Sequence, residues 1–146
     1  AEEVISVIRK NSKDSIIIVG TPTWSQEVDK PANNKINDKN TMYALHFYSA
    51  SHGEWLRERT TEALKSIPIF VSEWGVSDAS GNGIIDKEES LKWVEFMNKN
   101  NLSYAVWSLS DKNESSALLI PGASINNFND DNLSEAGKLI KDLINE

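Results

Sequence analysis

The sequence of 146 residues contains no cysteine. This absence excludes disulfide bonds, a thiolate nucleophile and zinc sites built on cysteine. No apolar run in it is long enough to span a bilayer. Lysine and arginine together number 15 against 22 aspartates and glutamates, and the basic residues are scattered along the chain. The net charge of −7 therefore argues against nucleic acid and anionic membranes as partners and favours an uncharged ligand.

The apolar residues that are present predict an α/β fold of parallel βα units in a single domain, residues 1–146. Strands are predicted at residues 16–20, 42–48, 67–72 and 102–107, and the first, an unalternated β-branched run, should be buried on both faces. Helical spacing predicts helices at residues 1–10, 53–66 and 91–100, and a last one that Ser134 caps and whose Ile144 points inward. Residues 26–40 and 108–133 are predicted loops. Two architectures fit, a small doubly wound sheet or half of a (β/α)₈ barrel, which needs about 250 residues.

One carboxylate, Glu73, stands at the end of the third predicted strand, directly before Trp74 and Gly75. In parallel sheets the C-terminal ends of the strands are where side chains meet ligands, so Glu73 is a candidate catalytic group. A solvent-exposed glutamate at a strand end is the alternative, because charged residues are common in loops.

Aromatic and polar side chains follow the other predicted strands. They are Trp24, His46 with Tyr48, and Trp107 followed by Lys112 and Glu114. Sugar rings stack on indoles and their hydroxyls take polar contacts, so this combination suits a sugar polymer. Taken singly, Trp107 is more typical of a core, His46 of a structural histidine, and Lys112 with Glu114 of a solvated loop. Their conjunction at one edge of the sheet is what favours binding.

Long segments of the chain resemble bacterial endo-β-1,4-glucanases of glycoside hydrolase family 5. They are Ala-Leu-His-Phe-Tyr at 44–48, the stretch 69–83 that begins Ile-Phe-Val-Ser-Glu-Trp-Gly, the stretch 107–118 that begins Trp-Ser-Leu-Ser-Asp-Lys-Asn-Glu, and Pro-Gly-Ala-Ser at 121–124. The resemblance runs in order through essentially the whole chain. It implies a (β/α)₈ barrel that cleaves β-1,4-glucan with retention through a covalent glycosyl-enzyme. It also implies a secreted, extracellular protein. We expect no cofactor, because both steps of that reaction are proton transfer and displacement at carbon.

The resemblance assigns a role to each of the strand-end residues. Glu73, at the end of the seventh barrel strand, would be the nucleophile, Tyr48 would orient it, and His46 would line the same subsite. Trp107 would form a sugar platform next to the cleavage point, with a cis peptide bond to Ser108. Lys112 and Glu114 would bind hydroxyls of glucose units on the non-reducing side, and Trp24 would stack a sugar on the leaving-group side.

The chain departs from the family pattern at the second carboxylate. A retaining glycosidase needs two carboxyl groups about 5 to 5.5 Å apart. In the family the second, the acid/base, is a Glu in an Asn-Glu pair that ends the fourth strand. Here Asn113–Glu114 falls in a loop and Asn145–Glu146 ends a helix. The sequence therefore resembles barrel strands five to eight, and we expect a partner, either the N-terminal half of the same barrel or a second copy of this chain.

Residues 78–89 also match the twelve-residue calcium-loop pattern. The ligand places would be filled by Asp78, Ser80, Asn82, Asp86 and Glu89, with Gly83 at the sixth position. A strand rather than a helix precedes this loop. The alternative is that Asp86 and Glu88 stabilise the start of the following helix through its dipole.

Two further functions stay open from the sequence. A non-catalytic carbohydrate-binding module would use Trp24, Trp107, Lys112 and Glu114 without chemistry, and a structural half-barrel fragment would have no activity of its own. A mannanase or xyloglucanase on the same scaffold is a nearer alternative to a glucanase.

Overall fold

The structure, a computed structural model, describes residues 1–123 and 129–145. In chain order its elements are α1 (Glu2–Asn11), β1 (Ile17–Val19), α2 (Pro22–Ser25), α3 (Asp29–Ala32), β2 (Thr41–Tyr48), α4 (Glu54–Leu64), β3 (Ile69–Gly75), α5 (Lys87–Lys99), β4 (Tyr104–Val106), a 3₁₀ turn (Asp130–Asn132) and α6 (Glu135–Asn145). Ser124 and Glu146, which the sequence analysis named, lie outside the described residues. The assignment of residues 1–146 to one domain stays a prediction.

The four strands form one parallel sheet in the order β1-β2-β3-β4. Every predicted strand is present, and strands that follow each other in the chain lie side by side. Because all strands run the same way, the ends that carry His46, Tyr48 and Glu73 meet at one edge of the sheet.

The main core lies between the sheet and the helices. Phe47 of β2 stacks on Trp93 of α5, with ring centroids 3.7 Å apart, and on Trp74 of β3 at 5.5 Å. All three rings are completely buried. Trp93 Nε1 also donates a hydrogen bond of 2.6 Å to the backbone oxygen of His52, just after β2. This aromatic cluster anchors the C-terminal ends of β2 and β3 from behind, next to the residues predicted to act.

The prediction that the first strand is buried on both faces is wrong. Ile18 of β1 is 41% exposed and Ile16, just before the strand, is 66% exposed. The reason is tertiary, because β1 is an edge strand with a strand neighbour on one side.

All the predicted helices are present, and the structure differs from the predictions in several details. The predicted loop at residues 26–40 contains the one-turn helix Asp29–Ala32, which is too short to show an apolar period. Ser134 does cap α6, because its Oγ accepts a hydrogen bond of 3.0 Å from the Gly137 N–H. Ile144, expected to point inward, is 52% exposed. Across the described ranges, no helix combines the length and apolar character needed to cross a membrane.

Candidate active site

Glu73 and Tyr48 meet at the C-terminal edge of the sheet. The Tyr48 hydroxyl donates a hydrogen bond of 2.8 Å to Glu73 Oε1. His46, two residues earlier on β2, places Nδ1 3.7 Å from Glu73 Oε2, within ion-pair distance and beyond hydrogen-bond distance. The Glu73 side chain is 27% exposed and that of His46 is 30% exposed, so both are partly desolvated and still open to a ligand.

A cavity of about 570 Å³ opens over this group. Its lining residues are Trp24, Gln26, His46, Phe47, Tyr48, His52, Glu73 and Ala79. Aromatic rings with a few polar groups are the usual lining of a site for an uncharged ligand. Among the described residues that line the cavity, Glu73 is the only carboxylate.

The environment of Tyr48 keeps its hydroxyl protonated. Burial raises the pKa of the Tyr48 phenol above its ordinary range, and the hydrogen bond to Glu73 and the negative charges of Glu73 and Glu114 raise it further. A neutral phenol can donate to a carboxylate but cannot compete with it for a proton. Tyr48 is thus suited to hold Glu73 in one orientation.

Trp24 is presented by an unusual turn. Thr23, Trp24 and Ser25 all have positive φ, at 53°, 50° and 62°. Left-handed backbone costs L-residues on the order of 1–2 kcal/mol each, so the surrounding structure has to hold the turn. Two hydrogen bonds do this, from the Thr21 N–H to Ser25 Oγ at 3.3 Å and from Thr21 Oγ1 to the Ala44 backbone oxygen at 3.2 Å. The Trp24 side chain is left 82% exposed at the rim of the cavity.

The remaining predicted binding residues lie outside the cavity lining, on the β4 side. Trp107 is 43% exposed, and its peptide bond to Ser108 is cis, which confirms that expectation. Lys112 is exposed, and Glu114 accepts a hydrogen bond of 3.3 Å from Ser116 Oγ. The structure therefore brings Trp24, His46, Tyr48 and Glu73 together and places the other three beside them. The roles of all seven residues stay predictions.

Sequence reasoning missed two residues that shape the site from behind. His52 Nδ1 lies 2.9 Å from the Tyr48 backbone nitrogen and accepts a hydrogen bond from its N–H, and burial lowers the pKa of His52. Gly75 leaves room for the Tyr48 ring, because a Cβ there would lie 2.9 Å from two ring carbons. Both contacts depend on how β2 and β3 are paired, and no local pattern signals them.

The calcium-loop residues are not brought together as a ligand set. Glu89 forms a salt bridge with Arg57 of α4, while Asp86 Oδ1 accepts a hydrogen bond of 2.9 Å from the Glu89 N–H at the start of α5. Asp78 turns toward Ser80, whose hydroxyl and N–H lower the pKa of its carboxyl. In the part of the chain that the structure describes, no cluster of three or more potential metal ligands occurs. The geometry favours the alternative, in which Asp86 caps the helix.

The hydrogen bond between Tyr48 and Glu73 predicts a measurable coupling. Glu73→Gln should lower the pKa of the Tyr48 phenol by about one to two pH units, because the amide carries no charge to oppose the phenolate. The ultraviolet absorbance of tyrosinate measures this pKa, after subtraction of the titration of Tyr48→Phe. Glu62→Gln, an exposed carboxylate on α4 paired with Lys65, is the matched control. An unchanged midpoint in Glu73→Gln would contradict the contact.

Known proteins match this chain over nearly its full length. The model of the family described as Cellulase (glycosyl hydrolase family 5) matches residues 1–113. Endoglucanase 5 of Pectobacterium carotovorum subsp. carotovorum is 49% identical over 146 residues, which cover 99% of this chain and 29% of that protein. Endoglucanase A of Evansella cellulosilytica is 48% identical over 148 residues, which cover 100% of this chain and 30% of that protein.

Solved structures match equally well and are about twice as long. The catalytic domain of Thermobifida fusca endoglucanase Cel5A in complex with cellotetraose superposes with a TM-score of 0.92 at 32% identity, over 99% of this chain and 50% of that one. A protein from Cytophaga hutchinsonii gives a TM-score of 0.94 at 43% identity, over 97% and 47%. The chain thus spans less than a third of the curated relatives named above and about half of these solved chains. Its parallel sheet corresponds to half of a (β/α)₈ barrel, as predicted. The chain belongs to glycosyl hydrolase family 5.

Proposed function

We propose that this chain is the nucleophile-bearing half of an endo-β-1,4-glucanase, a cellulase that hydrolyses β-1,4-glucan with retention through a covalent glycosyl-enzyme. The observation that carries the proposal is the Tyr48–Glu73 hydrogen bond of 2.8 Å beneath an aromatic-lined cavity. Membership of glycosyl hydrolase family 5 and similarity to endoglucanases support it.

In the first step one carboxylate oxygen of Glu73 attacks the anomeric carbon of the sugar. A glycosyl ester forms, and the bond from that carbon to the leaving-group oxygen breaks, with the electron pair going to the oxygen. Tyr48 donates to Oε1 and holds the carboxylate still, while His46 lies near Oε2. When water later attacks the same carbon, the acid/base carboxylate takes a proton from the water, the ester bond breaks and the Glu73 carboxylate is restored.

Aromatic side chains on either side of Glu73 would hold the glucan. Trp24 presents its indole face at the cavity rim, where a pyranose ring on the leaving-group side can stack. Trp107 would stack a sugar next to the cleavage point, and Lys112 and Glu114 would bind hydroxyls of glucose units beyond it. All four side chains keep exposed surface for such contacts.

The acid/base would come from outside this chain. A sugar leaving group needs a proton from a second carboxyl group about 5 to 5.5 Å from the nucleophile. Among the described residues lining the cavity, Glu73 has no carboxylate neighbour. We infer that a second half-barrel supplies it, either as the N-terminal half of one longer polypeptide or as a separate chain. A second copy of this chain would close the barrel but would bring another Glu73 in place of the acid/base.

The edges of the sheet support such a partner. β1 and β4 each have one strand neighbour, and exposed apolar side chains lie in or next to these strands: Ile16 and Ile18 at β1, and Leu109 after β4. Open strand edges beside apolar surface favour association. Because glucan polymers lie outside cells, we also propose secretion, which fractionation of the producing culture would test.

Covalent labelling tests the nucleophile. A fluorinated cellobioside with a dinitrophenyl leaving group needs no general acid, so incubation should add one glycosyl unit to the intact mass of the chain. Glu73→Gln should abolish the adduct, and the control Glu62→Gln should keep it. Glucan binding that survives in Glu73→Gln, with no adduct in the wild type, would instead indicate a non-catalytic binding module.

Azide tests retention and the missing acid/base together. Azide attacks the anomeric carbon of the glycosyl ester without needing a general base, and the Glu73 carboxylate leaves. With the unfluorinated dinitrophenyl cellobioside we expect azide to raise the turnover rate at least tenfold and to yield the β-cellobiosyl azide. The product's anomeric configuration is read by proton NMR. The α-azide would mean a single displacement and would refute the double-displacement mechanism.

Sedimentation velocity tests the exposed edge. The chain should self-associate with rising concentration, and Ile18→Lys should shift the distribution toward monomer, because a charge on the open sheet face opposes its burial. Ile84→Lys, at a position 71% exposed in the loop before α5, is the matched control and should leave association unchanged. A wild-type chain that stays monomeric at every concentration would contradict the proposal that this edge drives association.

A further inference from the structure

Strand β3 carries one residue more than either neighbour over the same short stretch. Against β2, Leu45 pairs with Val71 and the next residue, His46, pairs with Glu73, so Ser72 has no partner across. Against β4, Val71 pairs with Tyr104 and Trp74 with Val106, three steps on β3 for two on β4. A β-bulge therefore lies at Ser72 and Glu73, directly at the candidate nucleophile.

The bulge turns two successive side chains toward the same imidazole. In a regular strand Ser72 and Glu73 would point to opposite faces of the sheet. Here Ser72 Oγ lies 2.8 Å from His46 Nε2, and Glu73 Oε2 lies 3.7 Å from His46 Nδ1. The flanking residues Val71 and Trp74 are fully buried on the core side.

We propose that Ser72 is a positioning residue that holds His46 as the neutral tautomer protonated on Nδ1, with that N–H directed at the Glu73 carboxylate. The residue acts through His46, and its catalytic consequence rests on the function proposed above. Its effect on the imidazole can be observed without any reaction.

The choice of tautomer follows from electrostatics at the two ring nitrogens. A neutral imidazole has one N–H and one lone pair, and the hydrogen bond at one nitrogen decides the state of the other. If Nδ1 carried the lone pair, it would face a carboxylate oxygen 3.7 Å away and be repelled. With the proton on Nδ1, the lone pair is on Nε2 and accepts from the Ser72 hydroxyl. Within the described chain that hydroxyl has no other hydrogen-bond partner, so its proton is available for this contact.

The polar side chains named near His46 come from β2, β3 and the turn after β2. Glu73 faces it from β3, and Tyr48, on the same strand as His46, is engaged with Glu73 Oε1. His52, which also lines the cavity, has its Nδ1 engaged by the Tyr48 N–H. Ser72 is therefore the side chain that bonds Nε2, and the carboxylate of Glu73 is the charge that Nδ1 meets.

Nitrogen-15 NMR of the imidazole rings tests the proposal on the chain itself. The sequence contains two histidines, so His46→Gln assigns the resonances of His46. We expect Nδ1 of His46 to resonate as a protonated nitrogen and Nε2 as an unprotonated acceptor. In Ser72→Ala both shifts should move toward the average of the two tautomers, and Ser72→Thr, which keeps the hydroxyl, should restore the wild-type pattern. Ser66→Ala, on the helix side and away from the cavity, is the matched control.

The wild-type spectrum alone can overturn the proposal, since a proton found on Nε2 would reverse the assigned tautomer even if the variants fail to fold. Ser72→Ala with an unchanged spectrum would show that the hydroxyl does not control the ring. Where the labelling reaction occurs, Ser72→Ala should slow it about tenfold and Ser72→Thr should recover it. The assigned tautomer together with absence of labelling would reject the proposed function and leave the positioning role standing.

Discussion

The parallel pairing of β2 with β3 is the constraint on which the rest of the structure depends. It joins residues far apart in the chain and puts Tyr48 beside Gly75 and His46 beside Glu73. One face of this pair carries Phe47 and Trp74 into the aromatic core, where they are completely buried. The opposite face and the strand ends carry the polar groups of the site. Core packing thus fixes the strand positions, and the strand positions fix the distance between Tyr48 and the carboxylate it holds.

The site combines a single charge with neutral groups that restrain it. Tyr48 stays protonated because of burial and the neighbouring carboxylates, and burial lowers the pKa of His52. Both therefore act as directional hydrogen-bond partners instead of competing charges. Such preorganisation is useful to a nucleophile, because a carboxylate held in one orientation needs little rearrangement at the moment of attack. The role that we propose for Ser72 would restrain His46, which lies near the other oxygen of Glu73.

The sheet combines a buried core with exposed apolar residues at its edge strands. The core residues of β2 and β3 are buried, whereas Ile18 of the edge strand β1 is 41% exposed. The same openness leaves the cavity with one carboxylate among its described lining residues. The second half-barrel that we propose would cover the apolar edges and would bring the acid/base. The left-handed turn at Trp24 does not depend on such a partner, because Thr21 and Ala44 already hold it.

The amino-acid sequence by itself determined the order of the main helices and strands, because the spacing of apolar residues and runs of β-branched residues are local signals that predict helices and strands. It also determined which residues stand at the strand ends, including Glu73, Tyr48 and Trp24, and its long motifs indicated the family that the comparisons then established. Only the tertiary structure decided the exposure of Ile18, the one-turn helix at residues 29–32 and the use of Asp86 as a cap in place of a calcium ligand. It alone showed the contacts of Ser72, His52 and Gly75 with His46 and Tyr48. The contacts of Ser72, His52 and Gly75 depend on the pairing of β2 with β3, and that of Ser72 also on a one-residue shift in register. Pairing between distant parts of the chain produces no local sequence pattern.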